Sequence, residues 1–166
     1  MEAEPASGMG YQTEFSGQVA VEPPLSSEEV EFLTKFAETR RMDRKNGPYF
    51  VDGTGFHGQG KDADIIDRNV PPEGQPGLWC QWVPTEDGKF IEWDSGDYFY
   101  ASEQWMRYLV EQFLKPGHIA DLPFLGEHTL NGSILAQGED MHDRWKLHVV
   151  NNEVSSERLK NDAHRD

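Results

Sequence analysis

Arg40, Arg41, Arg44 and Lys45 crowd four cations into six positions of an acidic chain. Guanidinium groups present paired donors to phosphate or carboxylate. A few residues on, Gly53, Gly55, Gly58 and Gly60 open a loop whose backbone N–H groups can approach an anion closely. The whole chain carries a net charge of −15, yet residues 34–61 sum to +3. An anion approaching such a molecule needs a local reversal of sign, and this segment supplies one at the level of sequence. The candidate ligand-binding set is therefore Arg40, Arg41, Arg44, Lys45, Gly53, Gly55 and His57. Trp79 joins it as a ring on which a base would stack. The implied ligand is an anionic small molecule of nucleotide type. The same cations have a structural reading, as compensation for a helix end and as ion pairs with the acidic surface.

Other groups invite chemistry less directly. Gly53-Thr54-Gly55-Phe56-His57-Gly58 has the G-x-G-x-x-G spacing, but Asp62 and Asp64 follow where a dinucleotide site needs a helix N-terminus. Asp62, Asp64 and Asp67 form an oxygen-rich loop without the glycine and glutamate spacing of a calcium-binding loop. Glu139, Asp140, His142 and Asp143 supply acid–base groups, in a stretch that also reads as an ordinary turn. The single cysteine, Cys80, falls on an apolar strand face, where burial leaves a thiol inert. No nucleophile elbow, P-loop or histidine pair of zinc-binding spacing is present. Catalytic residues stay unassigned, and no metal or cofactor is expected. A metal-dependent enzyme using the Asp, Glu and His loop residues, and an acidic mimic of nucleic acid, are the alternatives to a binding protein.

These groups need elements to hold them. Phe15, Val19 and Val21 alternate within residues 11–21 and predict a strand, bulged at Gly17. Ser26 and Glu29 form a capping box, with Leu25 and Val30 placed as a hydrophobic staple. A helix follows, with its stripe on Val30, Phe32, Leu33, Phe36 and Ala37 and with Arg40 and Arg41 in its last turn. Residues 46–77 are rich in glycine and proline and read as a long loop with a short strand at 49–51. Asp87-Gly88 centres a two-residue hairpin turn that pairs Trp82 with Trp93 and Val83 with Glu92. Leu78, Cys80, Trp82, Ile91 and Trp93 then share a core-facing side. A second helix runs from a Ser102 cap through residues 103–114, on a stripe of Trp105, Met106, Leu109, Val110 and Phe113. Strands at 129–137 and 145–150 and a short one near Val154 complete the set.

The expected fold is α+β: an antiparallel sheet with two helices on one face, a ferredoxin-like variant with a long Gly-rich loop. One domain spans residues 11–154, between flexible tails at 1–10 and 155–166. No apolar run reaches membrane-spanning length, and the net charge repels nucleic acid phosphates. One cysteine excludes an intramolecular disulfide, and the N-terminus lacks a secretory pattern. The protein is expected in the cytoplasm, with an anionic small molecule or a protein as its partner and no direct contact with nucleic acid or membrane.

The stretches GQPGLWCQWVPTEDG, IEWD and NGSILAQGED resemble a family of small proteins from actinobacteria and their phages. The resemblance covers roughly residues 11–158. It implies an intracellular, phage- or mobile-element-linked protein and carries no catalytic residue with it.

Overall fold

The computed structural model describes residues 10–160. Residues 1–9 and 161–166, most of the two expected tails, lie outside it. Strand β1 (Thr13–Glu22) leads into helix α1 (Ser27–Glu38). Two short strands, β2 (Asp43–Arg44) and β3 (Ile65–Asp67), pair with each other apart from the main sheet. The hairpin β4 (Trp82–Pro84) and β5 (Phe90–Trp93) precedes helix α2 (Ser102–Leu109), which runs on into a π-helical turn at Val110–Leu114. Strands β6 (Thr129–Gly138), β7 (Arg144–Val150) and β8 (Glu153–Arg158) end the described chain. No helix among the described residues is long and apolar enough to cross a membrane.

The main sheet has six antiparallel strands in the order β4-β5-β1-β6-β7-β8. Its four-strand half holds two interlocked units. The chain leaves β1, runs through α1 and returns as β4, with β5 lying between β1 and β4. It then leaves β5, runs through α2 and returns as β6, with β1 between β5 and β6. Phe15, Val19 and Val21 of β1, Ile134 and Ala136 of β6, and Leu147 and Val149 of β7 are buried on one sheet face. The helices contribute Phe32, Phe36, Trp105, Met106 and Phe113 to the same core. Phe32 and Phe36 meet Phe113 edge-on, with ring centroids 5.2 and 5.4 Å apart.

Local signals explain most of these elements. The Ser26 Oγ accepts from the Glu29 amide at 3.1 Å, while the Glu29 carboxylate accepts from the Ser26 amide at 2.8 Å. Trp82 pairs with Trp93 and Val83 with Glu92, in the register that the turn position implies. The turn itself is longer than two residues. The Gly88 amide donates to the Thr85 carbonyl and the Thr85 amide to the Phe90 carbonyl, so four residues form the loop. Lengthening a loop by one residue on each side leaves the strand register unchanged. Gly88 sits at φ +73°, and a Cβ there would lie 2.5 Å from the Leu25 carbonyl oxygen. The hairpin tip thus docks on the entry to α1 only because that residue lacks a side chain.

Several expectations need correction. β1 pairs with β6 without a break from Thr13↔Gly138 to Glu22↔Thr129, so Gly17 makes no bulge. Residues 49–51 form no strand. Ser102 is the first helical residue; the cap is Ala101, in the left-handed region at φ +58°. β8 runs to Arg158, and its register joins Glu157 to Lys146 and Arg158 to Trp145. Residues 155–158 therefore belong to the sheet and not to a tail. Trp93 is half-buried, packed against the core beside fully buried Trp82.

Candidate functional site

The basic island is folded inward. α1 ends at Glu38, and Thr39 turns extended, so Arg40 and Arg41 lie beyond the helix. Arg41 is 1% exposed. Its Nη2 donates to the carbonyls of Pro48 and Phe50 at 3.0 and 2.7 Å, and its guanidinium lies 4.2 Å from the Phe36 ring centre. Burial pushes its pKa down to about 10, which leaves it charged at neutral pH. Arg44 is equally enclosed. Its Nη1 bonds Asp62 at 3.1 Å and Asp64 at 3.0 Å, and its Nη2 donates to the Gly58 carbonyl at 2.8 Å. A Cβ at Gly53 would lie 2.7 Å from that Nη2, so glycine is what lets the guanidinium reach the loop backbone.

The remaining members of the predicted set gather around this clasp. The Arg40 amide donates to the His57 carbonyl at 3.0 Å, and its Nε donates to the Arg68 carbonyl. Gly55 lies against Gly60, and His57, at φ +51°, turns its ring edge-on to Trp79 at 5.5 Å. Lys45 is exposed, its backbone joined to Asp64. The structure thus brings Arg40, Arg44, Gly53, Gly55, His57 and Trp79 together, but the cluster closes a loop. The Arg41 and Arg44 guanidiniums point into the protein, so the anion-binding reading of those two residues is corrected.

The acidic loops are engaged as well. Asp62 accepts from the Thr54 hydroxyl and amide as well as from Arg44; those Thr54 bonds come first in holding its carboxyl below the usual range. Glu139 accepts from the Gln12 amide at 2.7 Å, and Asp140 accepts from the His142 amide at 2.8 Å. Among the described residues no group of three or more His, Cys, Asp or Glu is placed to hold a metal ion. Cys80 is fully buried, and desolvation pushes its thiol up to about 12.

An open cleft of about 520 Å³ lies elsewhere, between the start of α2 and the sheet. Its aromatic lining is Tyr11, Phe15, Phe99, Tyr100 and Trp145. Phe15 is the hub: Trp82, Trp93, Phe99 and Trp145 all meet it edge-on at 5.3–6.1 Å. The segment before α2 forms one wall. It bends through positive φ at Ser95, Tyr98 and Ala101, and it is tied to the start of β1 by bonds from the Tyr98 amide to the Gln12 side chain and from the Tyr11 amide to the Tyr100 hydroxyl.

A polar cluster closes one end. The Tyr11 hydroxyl donates to Asp143 Oδ2 at 2.8 Å, and Arg158 Nη1 donates to Asp143 Oδ1 at 2.8 Å. Burial opposes the charge on Asp143, but the bonds from Arg158 and Tyr11 outweigh it and hold the carboxyl below the usual range. Burial raises the Tyr11 phenol in turn. Glu103, the other acid in the lining, is held by Arg107 at 2.8 Å. Each carboxylate of the cleft therefore has an arginine on it, in a protein that is acidic elsewhere. The Arg158 side chain stays 66% exposed. The cleft joins aromatic rings to a cluster of polar groups, the two kinds of lining that a small-molecule site combines.

Sequence reasoning named Asp143 and missed the rest of this cleft. Tyr11 and Arg158 stand at the edges of the expected tails, and β1, β7 and β8 meet only through a sheet order that the chain order does not reveal. No family model, curated protein or solved structure matches the chain.

Proposed function

We propose that the protein is a binding and regulatory protein of the cytoplasm that holds an anionic, nucleotide-like small molecule, by non-enzymatic binding, in the cleft between α2 and strands β1, β7 and β8. The observation that carries this reading is the pairing of an aromatic interior with one exposed arginine at its polar end. Aromatic rings give a planar base a stacking surface. Among the described residues the Arg158 side chain bonds only Asp143, through Nη1, and it stays 66% exposed, which leaves further guanidinium donors of the kind suited to a phosphate. The scaffold reads as a ferredoxin-like variant. Its two split β-α-β units support that assignment, and the direct ring contacts between α1 and the α2 segment support placing both helices on one sheet face.

Calorimetric titration tests the reading, with nucleoside monophosphates, free nucleobases and inorganic phosphate as probes. A monophosphate binds and inorganic phosphate alone does not. Trp145→Ala removes the binding. Arg158→Ala weakens it about tenfold, the loss of one charged hydrogen-bonding group, and added salt weakens the wild type. The nucleotide is recovered unchanged. Failure of every monophosphate to bind, or undiminished binding to Trp145→Ala, overturns the proposal; conversion of the nucleotide transfers it to an enzyme.

A further inference from the structure

The sheet face opposite the helices holds a second arrangement, independent of the cleft. On β6 and β7, Ile134, Leu147 and Val149 point inward, so their neighbours Ser133 and His148 point outward. Ser133 and His148 stand directly opposite each other, and Glu157 on β8 lies diagonally beyond His148. The Ser133 Oγ is 2.8 Å from His148 Nδ1, and His148 Nε2 is 2.9 Å from Glu157 Oε1. The carboxylate can only accept, so it takes the hydrogen on Nε2. In the neutral ring the lone pair then sits on Nδ1, and the Ser133 hydroxyl donates to it. A hydroxyl, a base and an acid that orients the base form the unit that activates a serine. The ring is used in the reverse sense to the chymotrypsin-type triad, with serine on Nδ1, and either ring nitrogen can take a proton.

We propose that Ser133 is the nucleophile of an acyl-transfer site, with His148 as general base and Glu157 as positioning residue, and that it accepts acyl groups from activated esters. Ser133 Oγ bonds to the carbonyl carbon while its proton passes to His148 Nδ1. The carbon–leaving-group bond then breaks, and the leaving oxygen takes that proton. Water next attacks the acyl-serine, giving one proton to Nδ1, and Ser133 leaves with it as a hydroxyl. The substrate reaches this flat face without entering a pocket, so the site takes small reactive acyl donors and does not select for a side chain. Lys146 lies diagonally across from Ser133 on the same face, where an ammonium favours the developing oxyanion.

The test is labelling with a fluorophosphonate, which loses fluoride as the Ser133 Oγ–phosphorus bond forms, followed by peptide mass mapping and by the burst of p-nitrophenol from p-nitrophenyl acetate. Ser133 is labelled at least about tenfold faster than exposed Ser155 or Ser156, and Ser133→Ala removes both label and burst. His148→Gln slows labelling about 100-fold, the scale of general-base assistance. Glu157→Ala slows it less, and Glu157→Gln, whose amide oxygen still accepts from Nε2, restores part of the rate. A purely structural Glu157 would not show that rescue. All these positions are half-buried or exposed, and near-ultraviolet circular dichroism confirms that each variant is folded. Label spread evenly over the serines, or a His148→Gln rate equal to wild type, overturns the proposal. Neither outcome bears on the cleft, whose lining includes none of Ser133, His148 and Glu157.

Discussion

Glu29 and His128 lie 99 residues apart and meet as a buried pair, with His128 Nε2 2.9 Å from Glu29 Oε2. Only 2% of Glu29 and 4% of His128 is exposed. The His128 Nδ1 faces the Pro23 carbonyl at 2.6 Å, and the Glu29 carboxylate also accepts from the amides of Ser26 and Gly126. One side chain thus caps α1 and fixes the approach to β6. Burial alone would raise the Glu29 carboxyl, but the Ser26, Gly126 and His128 bonds prevail and lower it from 4.5.

That direction sets a pH dependence. A carboxyl whose folded pKa is depressed contributes stability above its unfolded pKa and loses it as pH falls through the folded value. Wild-type melting temperature should therefore hold down to about pH 5 and fall steeply below the ordinary carboxylate range. Glu29→Gln keeps a capping-box residue but cannot ionise. It should melt lower at pH 7, and its deficit should shrink at pH 3. A deficit that stays constant with pH would remove Glu29 from the acid transition.

Arg44 makes the second prediction. Its side chain is 1% exposed, and it separates Asp62 from Asp64 while holding Gly58. Arg44→Ala leaves two carboxylates together and a carbonyl without its donor. The expected cost is about 3 kcal/mol, read by denaturant unfolding, with earlier proteolysis within residues 53–62. Lys45→Ala, at an exposed neighbour, should stay within about 0.5 kcal/mol of wild type. Equal costs for the two would refute the clasp.

What could be read from the sequence follows from how local each signal is. The capping box at Ser26 and Glu29 and the Trp82–Trp93 pairing depend on residues a few positions apart, and both are found as expected. The charge island was visible as composition, but whether a guanidinium faces water or a carbonyl depends on where residues 48–64 fold. The Tyr11–Asp143 bond spans 132 residues. Nothing near Tyr11 announces it, because the start of β1 comes to lie beside the β6–β7 turn only once the sheet is assembled.

Trp82 tests the core. It is 1% exposed, meets Phe15 and Phe99 edge-on at 5.3 and 5.1 Å, and donates through Nε1 to the Ser102 carbonyl at 2.8 Å. Trp82→Ala removes the ring, opens a cavity behind the cleft wall and takes away one donor from that carbonyl, which keeps its place in the first turn of α2. A loss of about 3–5 kcal/mol is expected in chemical denaturation. Trp82→Phe keeps much of the packing and should cost clearly less. An alanine variant within 1 kcal/mol of wild type would place the centre of the core elsewhere.

Cys80 offers the last prediction, a reporter of global opening. The thiolate is the reactive form, and desolvation places the Cys80 pKa at about 12, so little thiolate exists at neutral pH. The side chain is also fully enclosed, with Sγ 3.8 Å from the Trp82 carbonyl. Both factors fall away when the chain unfolds. Iodoacetamide should therefore leave the native protein unmodified over hours at pH 7.5 and alkylate it within minutes in denaturant. Under native conditions the slow residual rate should track the population of the unfolded state, because the folded protein encloses the sulfur completely. Trp82→Ala, which lowers stability next to the thiol, should raise that rate by at least about 100-fold, the factor that some 3 kcal/mol converts to. Rapid labelling of the native wild type would show instead that this end of the core opens locally.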